Sequence, residues 1–126
     1  MPEILVFAKV TGKYSSALRE VILRKATAEA AKEAGITVSA RQLQNALRTF
    51  RRSRHLIARS GFESWLTSVG VAPEALAQHL EEDVLIAQFK KLLARNARQI
   101  RPLSRFAARL INPDTEYKKW LDATLS

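Results

Sequence analysis

Cysteine is absent from the 126 residues, which excludes disulfides, thiolate metal sites and a cysteine nucleophile. Glycine and proline are sparse at four each, too few for a turn-rich β fold. Only two histidines occur, His55 and His79, and they form no H-x-x-x-H pair of the kind that holds a metal. No glycine-rich phosphate loop and no G-x-S-x-G elbow is present, so the sequence offers no nucleophile, base or cofactor cradle. The expectation is a non-enzyme with no catalytic residue, no metal and no cofactor. No apolar run approaches the ~18 residues of a membrane span, and Ile4 to Ala8 lacks the charged start and cleavage site of a secretory signal. A soluble, cytoplasmic chain is expected.

What is abundant is alanine, leucine and arginine. Their pattern predicts an all-α, five- to six-helix single domain over residues 1–126. Its reference point is Ala34-Gly35-Ile36-Thr37-Val38-Ser39. Gly35 supplies the left-handed residue that ends an alanine-rich helix. Ser39 and Gln42 have capping-box spacing, with Val38 placed to staple onto Leu43. Before this junction, Pro2 to Lys9 reads as a short buried strand or a helix turn, helix being favoured because no second strand is visible to pair with it. A helix from Ser15 or Ser16 to Ala34 carries Leu18, Val21, Ile22 and Ala26 on one face. Its second half, Ala28, Ala30, Ala31 and Ala34, is thin and suits close packing.

After the junction, Ala40 to Arg52 shows Leu43, Ala46, Leu47 and Phe50 as one apolar stripe. A linker from Ser53 to Arg59 is expected to tuck Leu56 and Ile57 inward. Ser60 and Glu63 have capping-box spacing for a short helix with Phe62, Trp65, Leu66 and Val69 on one side, stopped by Gly70. Pro73 and Glu74 open a long helix. Leu76, Leu80, Val84 and Ala87 lie on one of its faces and Leu85, Phe89 and Leu92 on another, as in a central helix. Pro102 to Leu110 predicts a basic helix with Leu103, Phe106 and Leu110 inward. Asn112-Pro113 starts a last one carrying Tyr117, Trp120 and Leu121.

The formal charge is +9, and residues 37–60 hold six arginines and no acid. Such a stretch suits an acidic partner, whether nucleic acid, anionic membrane or acidic polypeptide, against the alternative of a solvated face. For nucleic acid, the segment around Gly35 imitates a helix-turn-helix, with Arg41, Gln42, Gln44, Asn45 and Arg48 of the next helix available to base edges. Against it, the capped helix begins late for a tight turn, the preceding helix is long, and Arg41 and Gln44 fall where that motif wants apolar residues.

Three stretches, taken in order and spacing, carry a family resemblance: Ala28 through Ser39, Phe62-Glu63-Ser64-Trp65-Leu66 with Gly70-Val71, and Pro73-Glu74-Ala75-Leu76 leading to Lys91-Leu92. Leu18 through Leu92 resembles the helical amino-terminal domain of SurA/PpiC-type peptidyl-prolyl isomerases and the related client-binding domain of trigger factor. It looks most like short relatives that lack the parvulin domain, since the residues after Leu92 are too few to form one; 98–126 is a helical extension. The resemblance implies a chaperone-like or peptide-maturation accessory module that holds unfolded or precursor polypeptide without isomerase chemistry. Where many relatives keep acids in the middle helix this chain has arginines, which favours acidic clients. The surface expected to hold them combines Arg48, Arg51, Arg52 and Arg54 with Phe106, Leu110 and Trp120, the last three competing with an ordinary core role. The amino-terminal segment packs either in its own domain or into a second copy, which leaves a homodimer open.

Overall fold

The computed structural model describes residues 3–100 and 112–125. The described residues are all helical apart from their connections: α1 (Glu3–Val10), α2 (Lys13–Glu33), α3 (Ala40–Ser53), α4 (Arg59–Val69), α5 (Pro73–Ile100) and α6 (Pro113–Leu125). The all-α class is as the sequence predicts. The helix expected at Pro102 to Leu110, with Leu103, Phe106 and Leu110, lies outside the described residues.

Helix ends follow local chemistry. Gly35, at φ 87°, closes α2 with the paired bonds of a Schellman motif: Gly35 N–H donates to Lys32 O and Ile36 N–H to Ala31 O, both at 3.0 Å. Gly70, at φ 70°, closes α4 in the same way, with Val71 N–H donating to Leu66 O at 3.0 Å. The end of α3 repeats the pattern without a glycine. His55 holds φ 56°, and Leu56 N–H donates to Arg51 O at 2.7 Å. At the start of α3, Gln42 N–H donates to Ser39 Oγ at 3.1 Å and Ser39 N–H donates to Gln42 Oε1 at 2.9 Å, completing the expected capping box.

Two helices open earlier than their sequence signals. Gly12, left-handed at φ 79°, precedes α2 directly, so that helix begins at Lys13 and not at Ser15 or Ser16. Helix α4 begins at Arg59 behind Ala58, which makes no side-chain cap. Ser60 is therefore already inside the helix, and Glu63 accepts from Arg59 at 3.0 Å instead of reaching back to a cap.

Helix α5 is central, packing on α2, α3 and α6. One end of it joins α2 and α6 in a cluster of Ala28, Ala31, Leu85 and Phe89, with Ile36, Val38 and Trp120 against it. The other end joins α3 and α4 in a cluster of Phe62, Leu66, Leu76 and Leu80, with Leu43, Leu47, Phe50, Leu56 and Trp65 against it. The two expected faces of α5 thus serve two clusters.

Polar contacts fix the same arrangement. Buried Thr27 donates to Leu23 O at 2.7 Å and lies 2.8 Å from the Tyr117 hydroxyl, joining α2 to α6. Thr27 has one proton to give, so Tyr117 is the donor in that pair. Arg24 meets Glu82 at 3.3 Å and Asp83 at 2.8 Å and donates to His79 O at 3.0 Å, while Lys25 meets Glu82 at 2.6 Å. These contacts clamp α2 onto α5.

One apolar expectation is corrected: Ile57 is not tucked inward but 69 % exposed. Val69 is exposed as well, as are Leu18, Val21 and Ile22 on their face of α2.

Candidate functional site: an arginine groove beside an apolar cleft

Helix α3 separates its residue types cleanly. Leu43, Ala46, Leu47 and Phe50 turn toward the α4–α5 cluster. Arg41, Gln44, Asn45, Arg48, Thr49 and Arg52 are exposed. Of the five residues singled out for base edges, Arg41, Gln44, Asn45 and Arg48 share one exposed polar face about two turns long. Gln42 is instead half-buried, and its side chain accepts from Ser39 N–H in the capping box.

Where this face meets the connection to α4, a groove of about 400 Å³ opens, lined by Gln44, Leu47, Arg48, Arg51, Arg52 and Ile57. Immediately beside it is a cleft of about 200 Å³, lined by Leu43, Gln44, Leu47, Phe62, Leu66, Pro73, Leu76, Ala77 and Leu80. Gln44 and Leu47 belong to both. An apolar recess thus adjoins a basic groove, with a single amide, Gln44, among its lining residues. A recess of this size accommodates one apolar side chain, and the arginines beside it present guanidinium donors suited to carboxylates.

The arginines have different roles. Arg51 donates from Nε to Leu56 O at 3.0 Å and from its terminal amine to Ile57 O at 2.6 Å. Its guanidinium also lies over the Phe62 ring, 4.6 Å from the centroid. Arg51 therefore shapes the groove wall and holds the linker after the turn at His55. Arg54 lies over the Phe50 ring at 5.3 Å, which keeps its charge beside α3. Arg48 and Arg52 are exposed and line the groove.

The apolar partners expected for these arginines are distributed differently. Trp120 packs edge-on against Phe89, with ring centroids 5.0 Å apart, and stacks with Tyr117 at 6.1 Å. It belongs to the α2–α5–α6 cluster, whereas the arginine groove borders the α3–α4–α5 cluster. Phe106 and Leu110 lie outside the described residues. The apolar residues that line the groove together with the arginines are Leu47 and Ile57. Sequence reading placed Ile57 inward because it follows Leu56 in a short apolar pair. The signal that separates them is the helix end: Leu56 occupies the position after the left-handed residue, where an apolar side chain folds back on its helix.

Among the described residues no group of three or more His, Cys, Asp or Glu side chains is placed to hold a metal ion, and no helix is long and apolar enough to cross a membrane. No protein-family model, curated protein or solved structure matches the chain.

Proposed function

We propose that the chain is a non-catalytic polypeptide-binding module that takes an extended segment across α3. The observation that carries this reading is the apolar cleft sharing Gln44 and Leu47 with the arginine groove. A leucine or phenylalanine of the client would enter the cleft, and aspartate or glutamate residues on either side would meet Arg48 and Arg52. The apolar contact supplies affinity that persists in salt, and the arginines supply steering and selection for acidic segments. The resemblance of residues 18–92 to the client-binding domains of SurA-type proteins and trigger factor supports the same reading. It extends to a chaperone-like or peptide-maturation accessory factor working in the cytoplasm.

A second reading is DNA binding by the exposed face of α3. It is favoured by the alignment of Arg41, Gln44, Asn45 and Arg48 on that face, within a stretch that has six arginines and no acid. Salt separates the two. Duplex binding through phosphate contacts falls steeply with ionic strength because counterions are released. The test is fluorescence anisotropy with a labelled unfolded acidic polypeptide and a labelled random-sequence duplex, each at low and near-physiological salt. Polypeptide binding that persists, with the duplex lost at the higher salt, is expected. Tight duplex binding at physiological salt without polypeptide binding would overturn the proposal in favour of the second reading.

A further inference from the structure

Helix α1 has the sequence EILVFAKV, apolar around most of its circumference. A helix of that kind ordinarily lies buried, yet α1 contains no buried residue. Leu5 and Ala8 are half-buried, and α1 packs chiefly on α2. Ile4, Val6, Phe7 and Val10 are exposed, Val10 to 81 %. Tyr14, Leu18, Val21 and Ile22 of α2 are exposed as well, so the α1–α2 hairpin presents eight large apolar residues to solvent, the kind of surface that marks an interaction site.

We propose that the α1–α2 hairpin is a dimerisation element that pairs with the same hairpin of a second copy about a two-fold axis. The observation that selects a second copy as the occupant is charge, since a two-fold axis sets the same patch against itself in the reversed direction. Glu3 lies at the open end of the hairpin and Lys9 and Lys13 at its tip, separated along the axis by about 10 Å at the helical rise per residue. Among the described residues, Glu3 forms no ion pair, and the two lysines lie only against aromatic rings, Lys9 over Tyr14 at 5.3 Å and Lys13 over Phe7 at 5.1 Å. Antiparallel pairing of two copies brings each Glu3 to the lysines of the other, whereas parallel pairing would set like charges together.

The test is light scattering coupled to size exclusion, with sedimentation velocity, on the full chain from micromolar to near-millimolar concentration. A dimer is expected for the wild type. The double substitution Phe7→Asp and Val10→Asp should give a monomer of unchanged helical circular dichroism. A milder substitution, Glu3→Lys, should weaken the dimer by about tenfold in dissociation constant, and it removes no apolar contact, so folding is not at issue. A wild type that is monomeric throughout, or a dimer unaffected by both substitutions, would overturn the proposal. So would a monomer that instead floats with phosphatidylglycerol vesicles through Phe7 and Val10, which would assign the hairpin to a lipid surface. This outcome is independent of whether α3 binds polypeptide.

Discussion

Arg51 stacks on Phe62, with the guanidinium 4.6 Å from the ring centroid, while the same side chain donates to the carbonyls of Leu56 and Ile57. One residue therefore couples the end of α3, the linker and α4. Arg51→Ala should destabilise the fold by about 1–3 kcal/mol, as expected when a charged hydrogen bond to the part-buried Leu56 carbonyl is removed. Arg48→Ala and Arg52→Ala, at exposed positions, should change stability by no more than about 0.5 kcal/mol. Thermal unfolding followed by circular dichroism checks the contrast. Equal losses at all three sites would show that Arg51 has no special structural role.

The turn at His55 gives a second prediction. A non-glycine residue in the left-handed region costs about 1–2 kcal/mol, and glycine loses about 0.5–1 kcal/mol of that relief through its greater freedom when unfolded. His55→Gly should therefore stabilise the protein by about 0.5–1 kcal/mol. Gly35→Ala, at φ 87° with open space around the added carbon, should destabilise it by about 1 kcal/mol through strain alone. Denaturant midpoints at constant slope are the measurement. A destabilised His55→Gly variant would mean that the imidazole makes a compensating contact in solution.

Glu82 sets the acid limit of the α2–α5 clamp. Burial pushes its carboxyl upward, but the Lys25 hydrogen bond and the Lys25 and Arg24 charges outweigh that and leave it below the ordinary value. A folded-state value below the unfolded one favours the folded state wherever the carboxylate is ionised. That contribution is complete above the unfolded value of about 4.3 and is lost as pH falls through the lowered one. Glu82→Gln should be less stable than the wild type at neutral pH, and the difference should shrink toward acid. Melting temperatures of both proteins from pH 7 down to about pH 3 test this. A constant difference would contradict the assigned coupling.

Local punctuation carried most of the fold's legibility. Gly35, Ser39 with Gln42, Gly70 and Pro73 each impose a backbone state that few alternatives satisfy, so the corresponding ends of α2, α3, α4 and α5 could be read directly. Ser60 misled because a capping box is a spacing, and the same spacing occurs just inside the first turn of a helix. The start of α4 is instead set by the linker that Arg51 holds, a contact between residues whose pairing has no local signature. Leu18, Val21 and Ile22 share the helix face that their spacing marks, and periodicity does not say whether a neighbour from the same chain covers it.

The site was legible in part. Arg48 and Arg52 follow from the acid-free run, and both line the groove. Ile57 and the cleft under Leu47 depend on how α3, α4 and α5 converge. For Trp120 the sequence leaves binding and an ordinary core role in competition, and the core role it takes against Phe89 depends on the long-range meeting of α5 and α6.

Charge reversal tests the binding proposal most directly. Arg48→Glu combined with Arg52→Glu keeps the apolar cleft and inverts the groove beside it. Affinity would be measured for two labelled peptides that share a central leucine-phenylalanine pair, one flanked by glutamates and one by lysines. The expected result is a switch of preference: the wild type holds the acidic peptide more tightly, the variant holds the basic one, and both lose affinity when Leu47→Ala opens the cleft floor. Equal affinities for the two peptides in both proteins, or no measurable binding of either, would contradict a client site on α3.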